Sequence, residues 1–366
     1  MKVIVDRAAL NDALGLLGSV IAARTPKPVL NYVKLTAADG VLSLLATDLE
    51  TGLRLVISRV EVQEPGEALI IGDKFGQIVR ESGDATLTIA VDASQATIRG
   101  QDSTYKLNVM PPAEYPAVQD FSGESDFEVR AGDLSQLIAQ TIFATAKENS
   151  RYAINGVLLE REANKLNVVA TDGRRLAVSR GTCKTAKTEN RAIIVPTKAL
   201  NLLAKLLIDP EQTVKVKIAE SQVLFGTETA TISSNLVEGN FPPYRDVVPR
   251  DGDKKATIAT APLNSAVRRA ALLTNEESKS LRLSFKQGTL TLTSRTPETG
   301  EAEVTLDLPK YEGEPLDIGF NPQFIIDVLK VVDSEEVTLD LKAANKPGVF
   351  RTGQHFLYVV MPVNLT

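Results

Sequence analysis

Thr47-Asp48-Leu49-Glu50 returns as Thr171-Asp172-Gly173-Arg174, and Asp73-Lys74-Phe75 returns as Thr197-Lys198-Ala199, both on a step of 124 residues (47 to 171, 74 to 198). Leu30-Asn31 and Ile154-Asn155 keep the same step. Self-similarity on a fixed period constrains architecture before any single residue does, because each copy must fold as the same unit. The unit ends rhyme as well: Met110-Pro111-Pro112-Ala113-Glu114-Tyr115-Pro116, then Gly239-Asn240-Phe241-Pro242-Pro243-Tyr244, then Met361-Pro362. Each closes a strand with proline. A chain of 366 residues holds three such units. Two polar, turn-rich linkers, residues 122–126 and 250–255, place the domains at 1–124, 125–252 and 253–366.

Within each unit the order of elements repeats more clearly than the letters. A short strand (Val3 to Val5, Phe127 to Arg130, Thr257 to Ala259) precedes a helix. Leu10, Leu14, Leu17 and Ile21 lie on one helical face; Asp133 starts a second such helix and Pro262 a third. Three strands follow, as in Tyr32 to Thr36, Val41 to Ala46 and Leu53 to Val60, with Asp39-Gly40, Asn164-Lys165 and Gln287-Gly288 as turns. Second helices start at Asp73, at Thr197 after Pro196, and at Asn321 before Pro322, an N-cap followed by the proline favoured at the first helical position. Thr86 to Val91, Thr213 to Ile218 and Val337 to Leu341 alternate with the period of half-buried strands. The sum is α+β: three copies of about eight strands and two helices, with antiparallel sheets and both helices on one side.

Composition narrows the chemistry. One His (His355) and one Cys (Cys183) cannot build a structural zinc site or a disulfide framework, so no metal, cofactor or catalytic group is expected. A single thiol suits a reducing cytosol, the first residues lack a signal peptide's apolar core, and no run is long enough to span a bilayer, so the expected location is cytoplasmic with no membrane partner. Open sheet edges at the first and last copy invite association, and head-to-tail contact resolves this by closing a ring with the helices on one working face. The net charge is −5, yet the helical windows together carry +2: residues 196–208 hold +2, 261–280 hold +1, 320–334 hold −1, and the other three balance. That sign suits a phosphate-facing lining, and it also suits ordinary solvated helix charges.

Thr171-Asp172-Gly173-Arg174-Arg175-Leu176-Ala177-Val178, Leu236-Val237-Glu238-Gly239-Asn240-Phe241-Pro242-Pro243-Tyr244-Arg245 and Tyr358-Val359-Val360-Met361-Pro362 resemble the bacterial sliding-clamp family, the beta subunits of DNA polymerase III. The resemblance runs from Met1 to the last residues in the family's order. It implies three repeated clamp domains, sheets outside and two helices per domain inside, in a head-to-tail homodimeric ring that catalyses nothing. Such a ring would slide on double-stranded DNA without reading its sequence, and would tether the replicative polymerase, the clamp loader and repair proteins. By position, the groove for their short apolar peptides would be lined by Ile154, Thr171, Gly173, Arg174, Arg175, Leu176, Pro242, Arg245, Val247, Val359, Val360, Met361, Pro362, Val363 and Leu365. An apolar slot with a soft Met suits peptides carrying Leu and Phe anchors. Taken singly, Pro242 and Pro362 read equally as strand terminators and Val359-Val360 as a core strand.

The same resemblance puts Arg24, Arg151, Tyr152 and Lys198 on DNA, and Lys74, Tyr105, Leu107, Leu272, Leu273 and Glu298 at the subunit seam. Three departures stand out. Arg174 occupies a position where the family commonly has His, Asp246 follows Arg245 where a basic residue is frequent, and the tail reads Val363-Asn364-Leu365-Thr366 rather than ending in Arg-Leu. They alter rim charge and leave the slot apolar, so a changed peptide preference is expected. Two other functions fit the residues less well. An enzyme using Asp48 and Asp172 as a carboxylate pair fails because equivalent positions in successive repeats lie far apart, and turn-forming Asp is the better account. Tyr105, Tyr115 and Tyr244 likewise read as packing aromatics. A triplicated scaffold without a DNA role would have no use for Arg24 and Lys198 on one wall.

Overall fold

The computed structural model describes residues 1–21, 25–147, 152–274, 280–297 and 299–365. Six α-helices occur among them: α1 (Arg7–Leu17), α2 (Gly72–Glu81), α3 (Ala131–Ala139), α4 (Thr197–Leu206), α5 (Thr260–Ala270) and α6 (Pro322–Val331). Asp6 caps α1 by accepting from the Ala9 amide at 2.8 Å, and Asn321 caps α6 by accepting from Gln323 at 3.0 Å, with Pro322 in the first turn. α1 buries Leu10, Ala13, Leu14 and Leu17. It stops before Ile21, whose methyl instead lies against Gly72 at the start of α2.

Two helices begin earlier than their sequence signals. α3 starts at Ala131, two residues before Asp133, because Gln212 and Pro210 carbonyls accept from Ala131 (2.9 Å) and Gly132 (3.0 Å). α5 starts at Thr260, two residues before Pro262, because the Thr260 amide donates to the Glu335 carbonyl at 2.8 Å. In both cases a neighbouring loop satisfies orphan helix-end groups that local sequence leaves open. The stretch expected as one strand from Leu53 to Val60 is two, Thr51–Ile57 and Val60–Glu64. The break at Ser58-Arg59 lets the chain leave one partner, Val41–Thr47, for another, Lys2–Asp6.

The chain forms two compact units. The first comprises Met1–Gly132, Lys184–Lys187 and Lys198–Leu236. Its thirteen-stranded antiparallel sheet runs in the order Phe127–Arg130, Thr213–Ile218, Gln222–Gly226, Ala230–Asn235, Thr51–Ile57, Val41–Thr47, Tyr32–Ala38, Gly66–Ile71, Thr104–Met110, Gln95–Arg99, Thr86–Val91, Lys2–Asp6, Val60–Glu64. The second comprises Asp133–Cys183, Thr188–Thr197 and Val237–Thr366. It holds a nine-stranded sheet (Arg191–Pro196, Gly156–Glu162, Lys165–Thr171, Arg175–Thr182, Phe356–Val360, Gly348–Thr352, Glu336–Leu341, Lys254–Ala259, Lys310–Glu312) and a four-stranded one (Gly300–Leu308, Gly288–Thr296, Leu281–Lys286, Leu316–Phe320). Phe285, Phe320, Phe350, Phe356 and Tyr358 are fully buried in this unit.

The units do not follow the repeats, because each large sheet is stitched from two of them. In the first unit Thr51–Ile57 of the first repeat pairs with Ala230–Asn235 of the central one, with Leu53 opposite Ile232. In the second unit Arg175–Thr182 of the central repeat pairs with Phe356–Val360 of the last, with Ala177 opposite Tyr358. These are the same two strands of the repeat in the same register, 124 residues on at one side (53 to 177) and 126 at the other (232 to 358).

Candidate functional site

The repeated Thr-Asp motif builds the same loop twice. Thr47 Oγ1 donates to the Thr51 carbonyl at 3.0 Å and accepts from Leu49, while Asp48 Oδ1 accepts from the amides of Glu50 and Thr51. Thr171 Oγ1 donates to Arg175 at 2.6 Å and accepts from Gly173, while Asp172 Oδ1 accepts from Arg174 (2.9 Å) and Arg175 (3.0 Å). Both aspartates are turn formers, as expected. The residue after each is left-handed, Leu49 at φ 78° and Gly173 at φ 85°. Gly173→Ala meets open space but an unfavourable backbone, so it is expected to cost about 1–2 kcal/mol of unfolding free energy in denaturant titration.

At the second seam this loop meets the chain's end. Leu176 opposes Val359 and Arg175 opposes Val360, and the Met361 amide donates to the Arg174 carbonyl at 2.9 Å. Beneath lies a buried cluster of Ala153, Leu158, Val169, Leu176, Val178, Ile194, Tyr244, Val349, Leu357 and Val359, with Val237, Phe241 and Val248 packed on it. Val247 (58% exposed) and Met361 (44% exposed) leave large apolar side chains in solvent on the segments around it. Past Pro362 the tail forms a bridge, the Val363 amide donating to the Gly319 carbonyl at 2.8 Å. Gly319 is required there: a Cβ would stand 2.7 Å from the Val363 carbonyl oxygen and 2.8 Å from a Leu365 methyl. Leu176, Val359 and Val360 are therefore core, while Met361, Val247, Pro242, Pro362 and exposed Gly173 and Arg174 stand above it. Ile154 is buried in the strip before Gly156–Glu162.

Arg175 and Arg245 are not free cations. Arg175, 11% exposed, donates to Asp172 (3.0 Å), Asp327 (2.8 Å) and the Phe143 carbonyl (2.8 Å), and its guanidinium carbon lies 4.4 Å from the Phe324 ring centroid. Burial works against its charge, but Tyr358, Asp327 and Asp172 more than offset that and hold the guanidinium above the usual arginine range. Arg245 donates to Glu160 at 2.7 Å and Glu162 at 2.5 Å, which raises its pKa, and the Tyr244 hydroxyl donates to Glu160 at 2.8 Å. Burial and Glu160 push the Tyr244 phenol up to about 12. Glu160, Glu162, Asp327 and Gly319 were not singled out from sequence. Only the two glutamates left a signal there, the i, i+2 spacing that puts both on one face of a strand.

The first seam carries the same loop but is filled. Gly52 stands where Leu176 stands in the second, and a Cβ on it would fall 2.4 Å from a Val118 methyl and 2.6 Å from Ser233 Oγ. Phe121 covers Gly226 in the same way, with a ring carbon 2.8 Å from where a Cβ would stand. Tyr115 anchors this covering segment: its hydroxyl donates to the Tyr32 carbonyl (3.2 Å) and accepts from Thr47 (3.1 Å). The segment from Tyr115 to Phe121, just before the first linker, thus occupies the first seam.

The remaining predicted residues fall as follows. Lys198, on α4, forms an ion pair with Asp48. Tyr152 is exposed, and Arg24, Arg151 and Glu298 lie outside the described residues. Exposed Tyr105 and half-buried Leu107 are on Thr104–Met110; Leu272 and Leu273 are on the turn after α5; Lys74 donates to Gln77 at 3.2 Å.

Three α+β modules are thus joined strand to strand, and the repeated carboxylates Asp48 and Asp172 are spent on turns. Models of the N-terminal, central and C-terminal domains of the DNA polymerase III beta subunit match residues 1–119, 128–243 and 245–364. The beta sliding clamp of Pseudomonas putida is 34% identical over 368 residues, covering 100% of both chains. A solved sliding clamp of Pseudomonas aeruginosa, bound to griselimycin, superposes with a TM-score of 0.95 at 33% identity, and one of Bacillus subtilis with 0.95 at 27%, each covering 100% of both chains. The chain belongs to the bacterial beta sliding clamps, the non-catalytic processivity subunits of DNA polymerase III. Membership sets aside both the enzyme and the scaffold without a DNA role. No helix among the described residues is long and apolar enough to cross a membrane.

Proposed function

We propose that two copies of this chain join head to tail into a ring that encircles duplex DNA and tethers the replicative polymerase, the clamp loader and repair proteins by short apolar peptides. Family membership implies DNA and polymerase as partners. The observation that carries the ring is the repeated seam. Each of the two seams within the chain pairs the strand after the Thr-Asp loop with the last strand of the following repeat. The third copy of the first strand is Gly300–Leu308, an edge of its sheet, and the remaining last strand is Thr104–Met110. Thr104 to Asn108 pair only with Gln95–Arg99 among the described residues, leaving one side open. A second copy supplies the missing partner at both places, and closure leaves no free seam. Tyr105, Leu107, Leu272 and Leu273, with Lys74 and Glu298, are the seam residues of this reading, and the domains are 1–124, 125–252 and 253–366.

The helices form the inner wall in this reading, with Arg24, Arg151, Tyr152 and Lys198 facing phosphates. Attachment is topological rather than tight: Lys198 is engaged by Asp48, and Lys205 donates to Ser19 at 3.1 Å. The peptide groove is the second seam, because the first is filled by Val118 and Phe121. In this reading Gly173, Arg174, Pro242, Arg245, Val247, Met361, Pro362, Val363 and Leu365 form its rim over a buried floor of Ile154, Thr171, Leu176, Val359 and Val360, while Arg175, expected in the lining, is held by Asp172, Asp327 and Phe143. The working place is the cytoplasm, on replicating DNA. Loaded on a circular duplex, the protein is expected to stay bound through a gel-filtration run and to be released when the circle is cut; equal retention on circle and linear DNA would overturn the ring.

A further inference from the structure

We propose that Asp327, on α6, is a positioning residue for the peptide groove, and that Arg175 serves the groove through it without touching the peptide. The proposal rests on reading the second seam as that groove. Arg175 has little left to offer a ligand: three of its donors are held by Asp172, Asp327 and Phe143, and the rings of Phe143 and Phe324 lie 5.5 and 4.4 Å from its guanidinium carbon. What it does hold is a chain of contacts. Asp327 fixes Arg175, and Arg175 fixes one oxygen of Asp172 while the other oxygen accepts from the Arg174 and Arg175 amides. The Arg174 carbonyl in turn takes the Met361 amide. The exposed wall of the groove, Gly173, Arg174 and Met361, is thus set from α6 through Asp327. Asp327 is itself held, by Gln323 at 2.6 Å and with Lys330 3.9 Å away. A carboxylate that neutralises a desolvated guanidinium cannot be replaced by an amide without loosening everything beyond it.

The test is fluorescence anisotropy of a short labelled peptide with Leu and Phe anchors on the full chain. Asp327→Asn is expected to weaken binding about tenfold, the loss of one charge-assisted hydrogen bond, and Asp327→Glu to bring it back to within about twofold of the parent. Arg175→Ala combined with Asp327→Asn should be no weaker than the worse single variant, because both break one chain of contacts. Hydrogen exchange supplies a readout that general destabilisation does not move: amides of residues 173–175 should exchange faster in Asp327→Asn while those of Thr338 to Asp340 do not change. Parent-like affinity in Asp327→Asn, or Asp327→Glu no better than Asp327→Asn, overturns the positioning role. A parent chain that does not bind the peptide, or a Met361→Asp variant that binds it normally, overturns instead the groove reading beneath it.

Discussion

Replacing Leu272 and Leu273 with alanine is expected to convert a particle of about 79 kDa, twice the 39.5 kDa of one chain, into one of 39.5 kDa by light scattering at micromolar concentration. Leu272 is 78% exposed, so its loss leaves the chain's own core untouched. The turn that carries it is tied down by hydrogen bonds: Thr274 Oγ1 donates to the Ala271 carbonyl at 2.8 Å, Ser294 Oγ to Ala270 at 2.6 Å, and Thr296 Oγ1 to Leu273 at 3.3 Å. Two leucines presented on a fixed turn lose little entropy when covered. Covering Leu272 is worth roughly 1.5–3 kcal/mol and half-buried Leu273 adds about half as much again at each subunit seam, of which a closed dimeric ring has two. At about 1.4 kcal/mol per tenfold, that shifts the dissociation constant by several orders of magnitude, enough to cross the micromolar range. A variant that keeps the mass of the dimer would remove these residues from the seam.

The sequence disclosed the repeat and the elements whose causes are local. Asn321-Pro322 announced the start of α6 because the cap is made by the residue itself, and Thr-Asp announced its loop because the side chains bond their own backbone. What it hid depends on partners distant along the chain. The starts of α3 and α5 are set by carbonyls of Gln212 and Glu335. Leu53 to Val60 looks like one strand until Lys2–Asp6 claims its second half. The site divides in the same way. Its apolar positions were legible as a motif, and both strands of the seam lie where that motif sits. Arg175 looks like a surface cation in sequence and is not one, because Asp327 lies 152 residues away. Gly52 in place of Leu176 is a difference of one letter that becomes meaningful only once Val118 is seen on top of it.

Removing residues 361–366 is expected to abolish binding of the polymerase-type peptide while leaving the fold intact. The cut falls at a physical boundary. Val359 and Val360 stay buried, paired with Leu176 and Arg175 and packed in the same cluster as Tyr244. Beyond them, among the described residues, the tail makes one hydrogen bond to Arg174, one to Gly319 and the seating of Leu365 over Gly319, none of which closes a core. The circular dichroism spectrum and the 79 kDa mass should therefore not change. The peptide, in contrast, loses the exposed Met361 side chain and the Pro362 to Leu365 wall. Burying one Met-sized group is worth about 1.5–3 kcal/mol, so loss of Met361 with the neighbouring wall should weaken binding at least about a hundredfold. Gly319→Ala reaches the same wall without shortening the chain, since its methyl group displaces Val363 and Leu365, and it should weaken binding by a smaller factor. A truncated chain with parent-like peptide affinity would place the groove elsewhere. Val247, 58% exposed and on the segment after Tyr244 rather than on the tail, would then be the first residue to test.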